Sequence, residues 1–471
     1  MDRILQTIKK FIPKKIFNLA WPVYHFLLGV TANVLYRWPS QHLIVIGVTG
    51  TTGKTTTTYL IAEMLRGAGF KVGFTSTAML SDGNRDWINN KKMTMIGRLF
   101  THKLLRKMVN NGCQYAVVET SSEGIVQYRH RFISYDLILI TGLYPEHIEA
   151  HGSFENYKEA KGMLFAHLKD CKTKYIDAEA RVRRAEGIKK LSLERVKKAI
   201  IINGNDQHAE YFGDFWAEEK FAFYLKGQSP EAILNETISK VVGTYLSSKK
   251  VLSVNGVDIN IKMLGRFNVN NILAALTVGL ARGIELEKIK IGLEKVAGVP
   301  GRLELINEGQ YFTVIVDYAF EPVAVEKLYE TVNELPHNRI IHVFGSAGGG
   351  RDVSRRSALG KIVGQKADIA IVTDEDPYNE NPAAIIEAVA IGAEQVGKIR
   401  NENLLTEISR RQAIKKAFSL ANKGDVVLIT GKGSEQAICR ANGKKEAWDD
   451  RKVAREELKS LNKTVDNLGV N

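Results

Sequence analysis

Short apolar runs along the sequence are separated by longer stretches in which apolar and polar residues recur with helical spacing. From residue 43 onward the two kinds of segment alternate, which is typical of βαβ units with buried parallel strands. The runs predict strands at 43–48, 72–75, 115–119, 137–141, 174–176 and 199–202. The pattern therefore favours an α/β fold.

A second series of strands and helices follows the turn-rich sequence Gly-Val-Pro-Gly-Arg at 298–302. Its predicted strands are 312–317, 339–344, 369–373 and 426–430. We therefore expect one domain over residues 41–298 and a second over 299–471, with an active site in the cleft that paired α/β domains commonly form.

Residues 219–263 have shorter apolar runs than the rest of the first domain. We expect two short antiparallel strands at 221–224 and 251–254, with a hairpin turn at Asn255-Gly256. These strands would form a small sheet inserted into, or appended to, the first domain.

The first forty residues place four lysines before an apolar stretch, 16–38, which is interrupted by Pro22, His25, Asn33 and Arg37. The stretch lacks a small-residue cleavage site, which argues against a secretory signal, and it is less apolar than a spanning helix. Residues 1–40 therefore form a short helical segment in one of three ways: as a helical pair packed on the next domain, as a helix in peripheral contact with a membrane, or as a true span.

Composition narrows the class of protein. The 471 residues are 44% apolar and 25% charged, as in soluble globular proteins, and the three scattered cysteines indicate a reducing, cytoplasmic environment. The net charge is +14, but the lysines are dispersed and no basic strip is interleaved with aromatic residues. We therefore expect no nucleic-acid partner, which leaves anionic small substrates or a basic solvated surface.

A glycine-rich turn follows the first predicted strand, with the sequence Gly50-Thr51-Thr52-Gly53-Lys54-Thr55. It matches a P-loop when the first glycine, Gly47, is allowed one extra residue of spacing. In such loops backbone N–H groups surround phosphate, the lysine adds positive charge and the hydroxyl binds Mg²⁺. A helix starting near Thr56 would add a terminus that favours anions.

Three other positions could contribute to chemistry. Glu119 ends a buried strand, where a carboxylate can reach the Mg²⁺ of a nucleotide, although a surface carboxylate is the alternative. The glycine-rich segment 345–352 carries Arg351 and is either an anion-binding loop or a plain flexible loop. A similar turn, 431–435, follows the strand at 426–430, and α/β folds place ligand contacts at such strand ends.

These motifs occur in an order that resembles the Mur ligase family, and most closely the branch that adds the third residue of the peptidoglycan stem peptide. The motifs are 48–56, Glu119-Thr120-Ser121-Ser122, Glu146-His147 followed by His151-Gly152 and Lys161, 267–271, 298–302, 316–319, 431–433 and 449–451. The resemblance implies a central P-loop ATPase domain and a C-terminal Rossmann-like ligase domain.

The resemblance also implies an ADP-forming amide ligase. ATP would phosphorylate a carboxylate of a muramoyl dipeptide, and the amine of an amino acid would then attack the acyl phosphate. The residues that match catalytic positions are Lys54, His147 and Lys161, with Lys161 carbamylated. Those that match Mg²⁺ positions are Thr55, Glu119, His147 and Lys161. Those that match nucleotide positions are Gly50, Thr51, Thr52, Gly53, Lys54, Thr55, Thr56, Asn271, Arg302 and Asp317.

Two sets of residues match positions that hold the other substrates. Ser121, Gln127 and Arg129 match those that bind the muramoyl peptide. Asp376, Tyr378 and Glu435 match the site of the incoming amino acid, and Arg351, on the glycine-rich segment 345–352, is a further candidate substrate-binding residue.

The departures from the family pattern bear on substrate choice. Residues 1–40 stand where the family has a UDP-binding domain, so we expect the uridine end to be held differently or to be absent from the substrate. Tyr378 occupies the place of an arginine that pairs with the second carboxylate of meso-diaminopimelate, and a tyrosine cannot form that pair. Glu435 is retained, which favours lysine or another cationic amino acid.

Two alternatives stay open at this point. One is a related ligase that acts on a different carboxylate, such as a polyglutamate-type or amino-acid-polymer substrate. The other is a nucleotide-binding subunit of cell-wall assembly without turnover.

Overall fold

The computed structural model describes residues 14–91, 93–145, 151–177, 181–184, 193–350 and 353–468. The chain folds into two compact units. Unit 1 contains the described residues among 1–87, 93–261 and 269–296, and unit 2 contains those among 88–92, 262–268 and 297–471. Each unit has a sheet with helices packed on it, which confirms the α/β class.

The elements up to residue 296 alternate as expected. The helices are α1 (Lys14–Leu35), α2 (Lys54–Gly67), α3 (Arg98–Asn110), α4 (Ser122–Val126), α5 (Phe154–His167), α6 (Ala209–Gly213), α7 (Phe267–Ala281) and α8 (Leu286–Leu293). The strands are β1 (Ile44–Thr49), β2 (Val72–Thr75), β3 (Met79–Ser81), β4 (Asp86–Ile88), β5 (Tyr115–Glu119), β6 (Leu137–Ile140), β7 (Lys174–Ile176), β8 (Val182–Arg184), β9 (Glu194–Val196), β10 (Ala199–Asn203), β11 (Glu219–Leu225), β12 (Ser239–Leu246), β13 (Val251–Val254) and β14 (Val257–Asn260).

The main sheet of this part has the strand order β14-β13-β12-β11-β10-β6-β1-β5-β2-β3-β4. Strand β1 is completely buried and pairs in parallel with β5 on one side and β6 on the other. Val48 lies opposite both Glu119 and Leu139, so the three carboxyl ends meet at one edge. That edge is where the P-loop begins and where Glu119 ends its strand.

The prediction of a separate small sheet over residues 219–263 is wrong. Strand β11 pairs in parallel with β10 and with β12, so it continues the main sheet. Strands β13 and β14 add the antiparallel edge. The hairpin turn is confirmed, since Asn255 and Gly256 have φ angles of 48° and 82°, and this pair of positive values suits a tight two-residue turn.

Two helices of unit 1 contact each other through their backbones. A Cβ atom at Gly67, the last residue of α2, would lie 2.3 Å from Cα of Gly292 in α8, and one at Gly292 would lie 2.6 Å from Cα of Met64. Only glycine permits such an approach at either position. Helix α2, which starts in the P-loop, is therefore closely packed at its far end.

A buried polar network lies under the amino ends of the central strands. Asp136 accepts hydrogen bonds from the amines of Lys174 (2.5 Å) and Lys198 (2.8 Å) and from the backbone N–H of Val45 (2.8 Å). Both carboxylate-lysine pairs are almost completely shielded from solvent. The network connects β1 and β6 to β7 and β10.

Of the N-terminal segment, the structure describes residues 14–40, which contain helix α1. Residues 1–13, on which the expectation of a helical pair also depends, lie outside the described residues. Helix α1 is followed by a short 3-10 turn, Pro39–His42. It packs on α3, whose Arg106 donates to the carbonyls of Tyr36 (2.9 Å) and Arg37 (2.7 Å). Among the described residues, no helix combines the length and apolar content needed to cross a membrane.

Unit 2 is built on a second sheet. Its helices are α9 (Pro322–Asn333), α10 (Ser354–Lys366), α11 (Pro382–Glu394), α12 (Arg410–Leu420) and α13 (Asp450–Leu468). Its strands are β15 (Glu304–Ile306), β16 (Thr313–Asp317), β17 (Ile340–Phe344), β18 (Ile369–Thr373), β19 (Leu404–Glu407), β20 (Val426–Thr430), β21 (Ala437–Cys439) and β22 (Lys445–Ala447).

The sheet of unit 2 has the order β15-β16-β20-β17-β18-β19. All neighbours are parallel except β15, which closes one edge in antiparallel fashion. Apolar clusters cover both faces, as in doubly wound folds. The carboxyl ends of β16, β17, β18 and β20 again share one edge, which carries the predicted residues of this unit.

Candidate active site

The P-loop of unit 1 requires glycine at two positions. Gly50 and Gly53 have φ angles of 140° and 79°. A Cβ atom at Gly50 would lie 2.0 Å from Oγ1 of Thr141, and one at Gly53 would lie 2.4 Å from Oδ1 of Asn271. The turn therefore brings its backbone against the carboxyl end of β6 and against α7, where Asn271 also accepts from Oγ1 of Thr57 at 3.2 Å.

Polar contacts fix the rest of the loop. Oγ1 of Thr141 donates to the carbonyl of Thr52 (2.6 Å). The N–H of Thr51 donates to the carbonyl of Gly142 (2.8 Å). The hydroxyl of Tyr157 in α5 lies 3.2 Å from that of Thr51. Helix α2 then starts at Lys54, so its N-terminus and the loop N–H groups form a cradle suited to phosphate.

Two predicted catalytic lysines meet at this loop. Nζ of Lys54 lies 3.0 Å from the carbonyl oxygen of Gly50 and 2.5 Å from that of Thr51. Nζ of Lys161, from α5, donates to the same Gly50 oxygen at 2.8 Å and lies 4.4 Å from the ring centroid of Tyr157. Lys161 is only 1% exposed, so a buried amine reaches the loop from a second helix.

Glu119 provides oxygen ligands beside the lysines. Its carboxylate accepts from Oγ1 of Thr55 (3.0 and 3.1 Å) and from both the N–H (2.6 Å) and the hydroxyl (2.9 Å) of Thr77. It is 1% exposed, and no lysine or arginine of the described residues forms an ion pair with it. A buried carboxylate next to a hydroxyl is a donor set that Mg²⁺ prefers, so these residues suit that ion.

His147, the remaining predicted metal ligand, lies outside the described residues, as does Glu146 before it. Within the residues that the structure describes, no three His, Cys, Asp or Glu side chains form a cluster able to hold a metal ion. Thr55 and Glu119 contact each other, and Lys161 contacts the P-loop at Gly50, while His147 stays a prediction.

The residues predicted to bind the muramoyl peptide surround α4. Ser121 caps this helix by accepting from the N–H of Gly124 at 3.2 Å. Oε1 of Gln127 accepts from Nη2 of Arg129 at 2.7 Å, and Nη1 of Arg129 donates to the carbonyl of Met95. All three therefore lie in one short segment that follows β5.

Arg98, at the start of α3, belongs to the same group and was not predicted. Its guanidinium donates to the backbone carbonyl of Gln127. Arg98 is 5% exposed, and burial, together with the positive charge of Arg129, lowers its pKa to about 10. Among the described residues, neither arginine forms an ion pair with a carboxylate, and Nε of each is buried without a hydrogen bond.

His151 connects this group to the P-loop. Its Nε2 lies 3.0 Å from Oγ of Ser122, and its ring centroid lies 5.2 Å from that of Tyr157. Burial, and secondarily the charge of Lys161, lowers its pKa below the usual value. The neutral imidazole therefore contacts both the helix that follows Ser121 and the Tyr157 ring.

In unit 2, Arg302 and Asp317 are close together. The guanidinium carbon of Arg302 lies 4.2 Å from the ring centroid of Tyr318. The carboxylate of Asp317, at the end of β16, accepts from the N–H groups of Leu303 and Ala319, both at 2.7 Å. These contacts fix the turn that carries Arg302 against the end of the strand.

The predicted amino-acid residues Asp376 and Glu435 share a buried lysine. Nζ of Lys432, which is 0% exposed, lies 2.9 Å from Oδ1 of Asp376 and also pairs with Glu435. Tyr378 has a φ of 51° and its ring packs on the backbone of Gly349. Arg351 lies outside the described residues.

Glu375 adds a third carboxylate at this edge. It is fully buried, and burial raises its pKa to about 7 although Lys432 and Arg410 oppose the change. The next carboxylate back along the chain, Asp374, pairs with Arg440. The carboxylates of Glu375, Asp376 and Glu435 therefore all lie near Lys432.

Sequence reasoning missed several residues of these groups. Lys432 lay within a motif singled out at a strand end, so its position was a usable signal. The sequence contains no such signal for Thr77, Arg98 or Tyr157. Each lies in a loop or helix that is distant in sequence from the residues it contacts and has an ordinary composition.

The fold and the site thus define a P-loop α/β protein with a second, Rossmann-like unit. Residues 48–279 match the Mur ligase middle domain, and residues 301–433 match the Mur ligase, glutamate ligase domain. The chain belongs to the Mur ligase family, and it is accordingly an ADP-forming amide ligase. The family implies ATP and Mg²⁺ as its nucleotide and metal ion.

Relatives of known name are similar over most of their length. A UDP-N-acetylmuramyl-tripeptide synthetase of Roseiflexus sp. (strain RS-1) is 36% identical over 438 residues, which cover 92% of this chain and 82% of the relative. A UDP-N-acetylmuramoyl-L-alanyl-D-glutamate--2,6-diaminopimelate ligase of Geobacillus kaustophilus (strain HTA426) is 34% identical over 433 residues, with coverages of 92% and 82%.

A solved structure of a UDP-N-acetylmuramoyl-L-alanyl-D-glutamate--2,6-diaminopimelate ligase is similar in fold. It is 25% identical, with a TM-score of 0.56, and the match covers 89% of this chain and 79% of that one.

Proposed function

We propose that the protein joins an amino acid to the free carboxylate of a muramoyl dipeptide, in the synthesis of peptidoglycan precursors in the cytoplasm. The observation that carries the proposal is the meeting of Lys54 and Lys161 at the Gly50 carbonyl, together with the contact between Thr55 and the buried carboxylate of Glu119. The relatives named as tripeptide synthetases support the substrate class.

The proposed reaction has two steps. A carboxylate oxygen of the dipeptide attacks the γ-phosphorus of ATP, which forms an acyl phosphate and releases ADP. The amine of the amino acid then attacks the acyl carbon, loses a proton and displaces phosphate. The loop N–H groups and Lys54 stabilise charge on the transferring phosphoryl group, and positioning supplies much of the acceleration.

Thr55 and Glu119 would hold Mg²⁺ in this scheme, and the ion would neutralise phosphoryl charge. Lys161 is proposed to carry a carbamate, because an anionic oxygen at this position would serve the ion better than an ammonium group. Its burial next to the loop supports that assignment, and His147 is retained as a further proposed ligand.

The acid substrate is proposed to lie against Ser121, Gln127 and Arg129. Arg98 is added to this set, because a buried guanidinium beside the half-buried one of Arg129, with no ion pair to a carboxylate among the described residues, favours an anionic ligand. The dipeptide supplies carboxylates of this kind.

The incoming amino acid is proposed to have a cationic side chain, as lysine does. Three carboxylates, those of Glu375, Asp376 and Glu435, lie around Lys432, and Tyr378 cannot form a bidentate pair with a second carboxylate. Arg302 and Asp317 are retained as proposed nucleotide contacts, and Arg351 as a proposed substrate contact.

The test measures ADP release and product mass with ATP, Mg²⁺, a panel of acids and single amino acids. ADP release is expected only when a muramoyl dipeptide and a cationic amino acid are both present. The panel includes the dipeptide with and without UDP, and a polyglutamate-type acid. Turnover with that last acid and none with either muramoyl dipeptide would contradict the proposal.

A further inference from the structure

Helix α1 turns apolar side chains toward solvent. Phe26, Leu27, Val34 and Leu35 are 43%, 58%, 50% and 61% exposed, and Trp38 just beyond the helix is 41% exposed. At 3.6 residues per turn, the four helical positions fall on one side of the cylinder. The exposed apolar residues therefore form one continuous stripe, which we call the outer stripe.

Over residues 24–35 of α1, the positions buried against the rest of unit 1 are small or polar. His25 and Asn33 are 7% and 8% exposed, and Ala32 is completely buried. Gly29 lies against the ring of Phe132, so closely that a Cβ atom would be 2.3 Å from it. This arrangement is the reverse of an ordinary surface helix, which turns its apolar side inward. A contiguous exposed apolar stripe of this kind marks an interaction surface.

The charges around the outer stripe are of one sign. Residues 1–40 contain six basic residues and a single acidic one, Asp2, and residues 14–40 contain no acidic residue. Lys14 and Lys15 begin the helix, and the exposed Arg37 follows it. Basic residues before and after the apolar stripe in the sequence complement an anionic lipid surface, where apolar side chains enter the boundary between headgroups and acyl chains.

We propose that α1 docks the protein peripherally on an anionic lipid bilayer, with the outer stripe in the headgroup region and the basic residues on the lipid phosphates. Trp38 suits this depth, because its ring is apolar and its N–H is polar. The outer stripe would attach the protein to the membrane surface. This role does not depend on the proposed ligase function.

A second copy of the chain is the competing occupant. Two copies of α1 packed about a two-fold axis would bring the lysines of one copy near those of the other, or near its Arg37, with no acidic residue in 14–40 to pair with them. The charge pattern therefore favours lipid over self-association.

Flotation of the full-length protein with vesicles tests this inference. One set contains phosphatidylglycerol and phosphatidylcholine, and the other contains phosphatidylcholine alone. The protein is expected to float with the first set, less with the second, and less with the first set at high salt. Leu27→Glu combined with Leu35→Glu is expected to lower the bound fraction about tenfold or more.

Ile233→Glu combined with Ile291→Glu is the matched control, since both residues are exposed apolar positions of unit 1 outside α1. Thermal melts and ligase turnover in solution should be the same for all three proteins. Equal loss of flotation in both double variants, or no flotation of the parent protein, would overturn the inference. So would sedimentation showing a parent dimer that the α1 variant converts to a monomer without any vesicle binding.

Discussion

Lys161 is the residue on which the proposed chemistry depends most. We expect Lys161→Ala to lower turnover about a hundredfold, because it removes a group placed beside the transferring phosphoryl. Lys161→Glu should restore part of the loss, since its carboxylate resembles a carbamate. Turnover of both variants is compared with Lys169→Ala, an exposed lysine just beyond α5. Full activity of Lys161→Ala would exclude the carbamate, and intact-protein mass should show one added CO₂ on the parent.

Arg98 offers a second residue test. We expect Arg98→Gln to raise KM for the acid substrate about tenfold or more, because a charged hydrogen bond to its carboxylate is lost. The kcat and the KM for ATP should change little. Lys103→Gln is the control, since it removes the same charge from an exposed position of α3. An equal rise of KM in both variants would indicate a general charge effect.

Glu375 makes stability depend on pH. Its folded pKa of about 7 lies above the ordinary glutamate value, so between roughly pH 4.5 and 7 the folded state holds a proton that the unfolded state loses. Stability should therefore be highest below this window and fall by about 3 kcal/mol as the pH rises through it. Urea unfolding of the parent and of Glu375→Gln across this range checks the prediction. Parallel pH curves for the two proteins would contradict it.

At the scale of elements, the P-loop turn combines strain with close contact. We expect Gly53→Ala to abolish nucleotide binding, because the new methyl group collides with Asn271 and pushes the loop away from its phosphate-binding shape. Gly69→Ala is the matched control, as Gly69 has a φ of 94° but open space around it. Both variants should lose about 1 kcal/mol or more of stability from the backbone strain.

Thermal melts and binding of a fluorescent ATP analogue distinguish the two effects. Only the Gly53 variant should fail to bind. If both variants bind alike, the contact with Asn271 is unimportant.

Most strands could be predicted because buried parallel strands are short apolar runs. Strands β2, β5, β18 and β20 begin and end at the predicted residues. Strand β19 was missed because Leu404–Glu407 is short and half polar. It is held as a strand by its parallel pairing with β18, and not by an apolar run of its own. The partners of β11 were misjudged because a strand's sequence does not specify its neighbours.

The candidate site likewise contains residues that the sequence could predict and residues that it could not. The P-loop and Glu119 were predictable, since their roles depend on glycine, lysine and carboxylate at fixed positions beside strands. The pairing of Lys432 with Asp376 and Glu435, and the approach of Arg98 to Arg129, depend on contacts between separate elements. Such contacts follow from packing and have no local signature.

At the scale of the whole molecule, Asp136 stabilises unit 1 by compensating two buried lysines. We expect Asp136→Asn to cost about 3–5 kcal/mol, because Lys174 and Lys198 would be left without a carboxylate. Burial already lowers the pKa of Lys174 to about 8. The free energy of unfolding in urea provides the measurement.

Asp177→Asn is the control for this network. It breaks a pair with Arg183, whose side chain is 50% exposed, and it should cost no more than about 1 kcal/mol. Equal losses for the two variants would mean that the buried network contributes no more than a surface pair.

The contact of Gly67 with Gly292 has a consequence for motion. Backbones that touch without intervening side chains cannot slide or tilt independently, so α2 and α8 move as one rigid body. Since the other end of α2 is the P-loop, a change in loop conformation on nucleotide binding would be carried along the helix to residues 286–293. Those residues, which form the last helix of unit 1, would register the nucleotide state without touching the ligand.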